Sequence, residues 1–145
     1  MTVFFEDVDR WDGEAHGTYE VTEGEIVEFA ERYDPQWFHT DPERAAESPY
    51  GELIASGWHT AAMSMRLFVE GFLDETATMG AKGLDRLRWP APVHPGDELT
   101  IHSTIRGVDE ESGTEDYGVV RWGVETTAGE KTVLALEALV LVARA

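Results

Sequence analysis

The stretch SGWHTAAMSMRLFVEGFL, residues 56–73, decides the fold because it predicts a long helix that has to be buried. Ser56 is a good N-cap residue, and Gly71 or Asp74 is the expected end of the helix. Apolar residues occur on nearly every face of this helix, a pattern typical of a helix surrounded by protein. We therefore expect a central helix with the rest of the chain wrapped around it.

The segments after the central helix are typical of β-strands. They are GAKGLDRLRW (80–89), ELTIHSTIRG (98–107), YGVVRWGVETT (117–127) and KTVLALEALVLVA (131–143), joined by PAPVHPGD, DEESGTED (109–116) and AGE. Connections this short favour antiparallel pairing. The last segment is apolar on both faces except at Glu137, so we expect it to be a central, covered strand.

The segment before the central helix predicts a shorter helix and a loop. In VTEGEIVEFAERYDP (residues 21–35), Thr22 and Glu25 form a capping-box pattern, and Pro35 ends the helix. Two further prolines make residues 34–51 a loop with short helical turns. A helical region followed by strands predicts the α+β class, with a curled antiparallel sheet wrapped round the long central helix. The length of 145 residues predicts a single domain over residues 1–145.

The composition is strongly acidic. The chain has 29 Asp and Glu residues and 11 Lys and Arg residues, a net charge of −18, and only two lysines, Lys82 and Lys131. Nucleic-acid binding is not expected, because phosphate contacts need clustered cations. The scarcity of lysine favours a halophilic protein over an ordinary acidic one. The chain has no cysteine, no apolar run long enough to span a membrane and no signal-peptide pattern, so we expect a cytoplasmic protein.

The loop YDPQWFHT, residues 33–40, places an acid, Asp34, five residues before an imidazole, His39. A carboxylate and an imidazole held by one rigid loop can share a water molecule and move its proton. The neighbouring aromatic side chains, Trp37 and Phe38 among them, would surround the carboxylate with a low-dielectric wall that tunes its pKa. The alternative is a surface loop with a capping Asp and a solvated His.

Gly57 would lie in the first turn of the central helix, if Ser56 is the N-cap. Amides of a first turn have no partner in the helix and carry the positive end of its dipole. The Gly57 amide could therefore bind an oxygen that gains negative charge. The alternative is that glycine is needed there only for close helix-on-sheet packing.

Together these segments resemble the MaoC-like acyl-CoA hydratases of the hotdog-fold superfamily. The family motif is D-x-N-P-x-H followed by a glycine at the start of the central helix, and Asp34, His39 and Gly57 match it. Gln36 stands where Asn is usual, and Trp37 where Pro is usual. The later stretch LRWPAPVHPGDELT resembles the family's third marker. The resemblance covers most of residues 20–143.

The resemblance implies a hotdog homodimer or dimer of dimers, with two sheets joined edge to edge and the acyl chain entering between subunits. It also implies reversible addition of water to a trans-2-enoyl-CoA, giving the (R)-3-hydroxyacyl-CoA, without a cofactor. In this chemistry Asp34 and His39 act on the water and the Gly57 amide on the thioester oxygen. Ser56 and three aromatic residues, Trp37, Phe38 and Trp58, are the expected substrate-binding residues. The three aromatics favour a short or branched acyl chain.

Other polar residues are assigned more simply. His59 is expected to be a core or pocket-wall residue, and His16 is expected to lie in a loop. The histidines lack the spacing of metal ligands, so we predict no metal site. Arg86 and Arg88 lie on one predicted strand. They could bind the phosphates of CoA, or pair with the many surface acids.

Two alternatives to a hydratase remain at this point. The fold also hosts thioesterases, in which a carboxylate-activated water attacks the thioester carbon. A non-catalytic acyl-binding subunit would keep the fold and need a partner for activity. The complete set of Asp34, His39 and Gly57 weighs against this second alternative.

Overall fold

The structure is a computed structural model that describes residues 1–109 and 112–145. Its α-helices are α1 (Glu23–Tyr33), α2 (Trp37–Thr40), α3 (Pro42–Ala46) and α4 (Gly57–Gly71). Its strands are β1 (Ala15–Glu20), β2 (Thr78–Arg88), β3 (Glu98–Val108), β4 (Tyr117–Ala128) and β5 (Lys131–Ala143). Short 3-10 helices lie at Phe5–Trp11 and Leu73–Glu75.

The five strands form one antiparallel sheet in the order β1-β3-β4-β5-β2. The four predicted strands and their antiparallel pairing are confirmed, and β5 lies inside the sheet between β4 and β2. The predicted turn over residues 109–116 includes Glu110 and Glu111, which lie outside the described residues. Irregularities in the β2–β5 register bend this side of the sheet.

The sheet curls round α4, as predicted. The side chain of Trp122 is fully buried and meets Phe68 of α4 edge to face, with ring centroids 5.1 Å apart. The Ser64 hydroxyl donates to the Thr60 carbonyl and lies 2.7 Å from the Thr126 hydroxyl, which joins α4 to β4. These contacts fix the helix across the concave face of the sheet.

Local signals set the helix ends. The Thr22 hydroxyl accepts the Glu25 amide at the start of α1, and the Asp41 carboxylate accepts the Arg44 amide at the start of α3. Thr22 is therefore an N-cap as predicted. The Glu25 carboxylate of the predicted capping box accepts the Tyr19 hydroxyl.

The N-terminal 3-10 helix and β1 were not predicted. His16, expected in a loop, lies in β1, where its ring contacts Phe72. Gly17 has a positive φ of 85°, and a Cβ there would meet the Leu67 side chain at 2.5 Å. The short, glycine-interrupted β1 lacks the regular alternation by which strands are recognised.

The prediction that α4 is surrounded by protein was wrong for this chain by itself. One face, which includes Met63, Leu67 and Phe68, is buried, whereas Trp58 and Met65 are exposed on the other side. The edge strand β2 is exposed along almost its whole length. Among the described residues no helix is long and apolar enough to cross a membrane.

Candidate active site

The loop after α1 places Asp34 and His39 face to face. Asp34 caps the end of α1, and α2 is a single turn that carries His39. The Nε2 atom of His39 lies 3.4 Å from Oδ2 of Asp34, and the His39 residue is 5% exposed. The alternative of a solvated surface histidine is therefore wrong.

The tautomer of His39 follows from its second hydrogen bond. Nδ1 lies 2.7 Å from the carbonyl oxygen of Ile54, which can only accept, so Nδ1 carries the proton. In the neutral ring Nε2 is then the unprotonated nitrogen, and it faces Oδ2 of Asp34. This arrangement leaves one basic nitrogen next to one carboxylate oxygen, as a shared water requires.

Both oxygens of Asp34 accept a hydrogen bond. The Ser56 hydroxyl donates to Oδ2 at 2.7 Å, and Nε2 of Gln36 donates to Oδ1 at 2.8 Å. Burial by itself raises the pKa of Asp34, but the hydrogen bonds from Ser56 and Gln36, together with the nearby His39, outweigh it and lower the pKa. The sequence predicted that desolvation would act on the pKa of Asp34. It does act on this pKa, but its effect is smaller than that of the hydrogen bonds and His39 together.

The start of α4 lies beside this pair. Ser56 is the N-cap, and its hydroxyl accepts the Trp58 amide at 3.3 Å while donating to Asp34. No described residue accepts the Gly57 amide. A Cβ at residue 57 would lie 2.5 Å from the Trp89 ring. Glycine is therefore required at this position because the Trp89 indole packs directly against its backbone.

A cavity of about 320 Å³ joins these groups. It is lined by Asp34, His39, Tyr50, Ile54, Ala55, Gly57, Trp58, Thr60, Trp89, Pro90, Ala91, Pro92 and Val93. The structure thus brings Asp34, His39 and Gly57 together at one cavity. Ser56 does not line this cavity, but its hydroxyl donates a hydrogen bond to the Asp34 carboxylate.

The remaining expected substrate-binding residues are placed differently. Trp58 lines the cavity, whereas Trp37 lies under the Arg44 guanidinium and Phe38 packs edge-on against the His39 ring. Arg86 and Arg88 lie on the exposed edge strand β2 and are not among the residues that line the cavity. Neither arginine forms an ion pair with a described residue.

A second, apolar cavity of about 420 Å³ lies on the open face of α4. Ala61, Met65 and Val69 of α4 form part of it, with residues of β2, β4 and β5 opposite. Gly57 lines the cavity of the Asp34–His39 pair and Ala61, one turn further along α4, lines this one, so the two cavities are neighbours along the helix.

Two other ionisable residues lie apart from the pair. His59 is buried and its ring stacks on Phe29, as expected of a core residue. Its Nδ1 atom has no hydrogen-bond partner among the described residues, and burial lowers the pKa of this imidazole. Glu137, which is 7% exposed, accepts a hydrogen bond from Arg121 at 3.1 Å across the sheet. The charge of this strand residue is thus paired within the chain.

Sequence patterns missed several residues of the site. Gln36 was noted only as a departure from a motif, yet it holds one oxygen of Asp34. Tyr50 and Trp89 line the cavity without having been expected there. The only signal for Trp89 was its place in LRWPAPVHPGD, directly after a predicted strand.

Comparison with known proteins supports one family. A family model described as MaoC like domain matches residues 12–128. The 3-hydroxyacyl-thioester dehydratase Z of Mycobacterium tuberculosis (strain H37Rv) is 33% identical over 122 residues, which cover 83% of this chain and 81% of the relative.

Solved structures agree with this assignment. A MaoC-like dehydratase from Rhodospirillum rubrum is 34% identical, covers 99% of this chain and 98% of its own, and superposes with a TM-score of 0.84. An (R)-hydratase from Pseudomonas aeruginosa, 21% identical with a TM-score of 0.78, shares the fold over 99% of this chain and 88% of its own. The chain therefore belongs to the MaoC-like dehydratase family, has the hotdog fold, and is a hydro-lyase.

Proposed function

We propose that this chain adds water reversibly to the trans-2-enoyl thioester of CoA, giving the (R)-3-hydroxyacyl-CoA. The observation that carries the proposal is the pairing of His39 Nε2 with Asp34 Oδ2, 3.4 Å apart, in the cavity that Gly57 also lines. The name of the Mycobacterium tuberculosis relative supports a 3-hydroxyacyl thioester as the hydrated form. The proposal takes residues 1–145 as one cytoplasmic domain.

The geometry supports a mechanism in which one proton is moved and returned. A water between the two groups gives a proton to Nε2 of His39 while its oxygen bonds to the β-carbon of the substrate. The electron pair of the C=C bond moves toward the thioester, and the enolate oxygen accepts the Gly57 amide. His39 then returns the proton to the α-carbon, and both side chains recover their starting states.

Asp34 stabilises the imidazolium that forms in the first step. Its lowered pKa keeps the carboxyl group ionised at neutral pH, and the hydrogen bonds from Ser56 and Gln36 fix its orientation. The loss of either donor would leave the carboxylate free to rotate away from His39. Ser56 and Gln36 therefore act as positioning residues for Asp34.

The open face of α4 and the exposed edge of β2 support association with a second copy. An unpaired edge of this length is a surface on which another strand can pair. We infer a two-fold dimer joined through β2, in which the partner covers the apolar cavity and the acyl chain lies along α4. Sedimentation equilibrium should give twice the mass of the chain, and a monomer at micromolar concentration would contradict the dimer.

Arg86 and Arg88 are proposed to meet the phosphates of CoA. Strand β2 carries Lys82, Arg86 and Arg88 against the single acid Asp85, in a chain with 29 acids in total. Cations on an otherwise acidic surface would attract a polyphosphate. Arg86→Ala and Arg88→Ala should each raise KM for a CoA thioester, and an unchanged KM in both would remove this assignment.

Incubation with crotonyl-CoA tests the proposed function. Loss of enoyl absorbance without release of free thiol is the expected result for a hydratase. Release of thiol would indicate the thioesterase alternative, and no change in either signal, on crotonyl-CoA and on longer enoyl-CoAs, would favour a non-catalytic acyl-binding subunit. Chiral analysis of the product should give the (R) hydroxyl.

A further inference from the structure

Two tryptophans stand at the mouth of the cavity. Trp58 is 59% exposed and Trp89 is 41% exposed, although both line the cavity that holds Asp34 and His39. Their rings meet edge to face, with centroids 5.4 Å apart, so each indole fixes the position of the other. Exposure of two large rigid rings beside the cavity of the Asp34–His39 pair requires an explanation.

The hydrogen-bonding state of these rings points to a ligand that is both apolar and polar. Neither indole N–H donates to any described residue. By contrast, the N–H of Trp122 donates to Ser103, and that of Trp11 to Thr76. The pair therefore offers two apolar faces and two donors that no described residue accepts.

The position of the pair identifies which part of the substrate reaches it. The Trp89 ring packs directly on Gly57, and Trp58 is the next residue of α4. If the thioester carbonyl binds the Gly57 amide, the sulfur leaves the cavity beside these rings. In a pantetheine thioester only a two-carbon spacer separates the sulfur from the first amide of the arm, so methylene groups and an amide carbonyl would pass along the indoles.

We propose that the Trp58–Trp89 pair is a binding site for the pantetheine arm of the thioester carrier. The arm alternates methylene groups with amides, and the pair presents apolar faces with adjacent N–H donors, which suits that chemistry. The same arm occurs on CoA and on an acyl carrier protein. This inference rests on the proposed function, because it takes the thioester carbonyl to lie at Gly57.

Binding energy from the arm should be expressed in the rate of reaction at the thioester. Contacts with a non-reacting part of a substrate hold the reacting part in place, so a truncated substrate loses kcat as well as affinity. Three crotonyl thioesters separate these contributions: N-acetylcysteamine, which carries one amide; pantetheine, which carries the whole arm; and CoA, which adds the nucleotide. The ratio of kcat/KM for pantetheine over N-acetylcysteamine measures recognition of the part of the arm beyond the first amide.

The experiment compares this ratio in the wild type, Trp58→Ala, Trp58→Phe and Trp89→Phe. In Trp58→Ala the ratio should fall by about tenfold or more, and activity on the N-acetylcysteamine thioester should fall by a smaller factor, because that thioester reaches the indoles with only its first amide. The two Phe variants keep an apolar face and lose the donor, so they should give intermediate ratios. Val108→Ala removes an exposed apolar side chain of β3 that does not line the cavity, and should leave the ratio unchanged.

An unchanged ratio in Trp58→Ala and Trp89→Phe would overturn the proposal. So would a change in oligomeric mass with no change in the ratio, because the pair would then belong to a contact between subunits. Equal values for pantetheine and CoA would show that the arm is read without the nucleotide. A gain seen only with crotonyl carried on an acyl carrier protein would indicate a protein surface and would also overturn the proposal.

Calorimetric titration with pantetheine separates this inference from the proposed function. Binding that is lost in Trp58→Ala, in a protein that hydrates no thioester, would contradict the hydratase and support the arm site. Hydration without any measurable contribution of Trp58 or Trp89 to pantetheine binding would support the hydratase and contradict the arm site.

Discussion

Asp34 depends on three side chains that reach it from two directions. Gln36 lies on the same loop, Ser56 caps α4, and His39 faces Oδ2 from α2. Burial raises the pKa of Asp34, and the hydrogen bonds from Ser56 and Gln36 together with the nearby His39 lower this pKa by more than burial raises it. The ionised carboxylate is thus a product of its hydrogen-bond partners.

Ser56→Ala should raise the pKa of Asp34, because it removes the hydroxyl that donates to Oδ2. A carboxyl group with a lowered folded-state pKa stabilises the protein above its unfolded pKa, and that contribution is lost as pH falls through the folded value. In the variant the carboxyl group should therefore contribute less stability, and that contribution should be fully lost at a higher pH. Carbon-detected NMR titration of the Asp34 carboxyl group measures the change in pKa directly. Thr40→Ala, which removes an exposed hydroxyl bonded only to the Gln36 carbonyl, is the control.

At the scale of elements, one lysine connects the cavity wall to the sheet. The Lys131 ammonium at the start of β5 donates to the Pro92 carbonyl at 2.9 Å and lies 3.2 Å from Oδ2 of Asp97. It also lies 3.3 Å from Nδ1 of His94, which must accept, because an ammonium has no acceptor. Its three donors thus have one partner, Pro92, among the wall residues 90–93 and two, His94 and Asp97, on the turn that follows.

Lys131→Ala should loosen this wall. We expect roughly 1 kcal/mol of lost stability, because the ion pair is partly exposed, together with a several-fold rise in KM for the enoyl thioester. Lys131→Arg keeps the charge and should restore part of both. Arg106→Ala, at an exposed cation of β3 that does not line the cavity, is the control. Equal effects of Lys131→Ala and Arg106→Ala would show that loss of positive charge, not the wall, is responsible.

The elements that sequence could predict are those fixed by neighbouring residues. Thr22, Asp41 and Ser56 accept amides of their own helices, and Pro35 ends α1, so these boundaries were found. Strands β2 to β5 follow apolar patterns and short connections. β1 was missed because its six residues lack such a pattern and the strand with which it pairs in the described part of the chain, β3, is distant in sequence.

The site was predictable only in part for the same reason. Asp34 and His39 are held by one loop, so their proximity follows from local sequence. Trp89 meets Gly57 only because the end of β2 is folded back onto the start of α4. The apolar pattern of α4 also could not distinguish burial within the chain from burial against a second copy.

At the scale of the whole molecule, charge is the dominant feature. A net charge of −18 on 145 residues creates self-repulsion that opposes the compact state. Few of the acids have a cation close by, because there are only 11 lysines and arginines. Dissolved salt is the remaining means of reducing the repulsion.

Thermal stability should therefore rise with potassium chloride concentration. Melting curves at neutral pH, from low ionic strength to molar salt, should show Tm increasing through the series. The same series near pH 4.4, the isoelectric point, should show a much weaker dependence, because little net charge remains to be screened. A Tm independent of salt at neutral pH would remove the halophile interpretation.

The central claim is that His39 moves the proton of the added water and that Asp34 stabilises the imidazolium that forms. Steady-state hydration of the best enoyl-CoA by Asp34→Asn and His39→Gln tests it, with circular dichroism to show that each variant is folded. Each kcat should fall by about 10² to 10⁴, the usual contribution of a general acid–base group. His102→Gln, at a histidine exposed on β3, should keep wild-type turnover. Near-wild-type kcat in either Asp34→Asn or His39→Gln would contradict the claim.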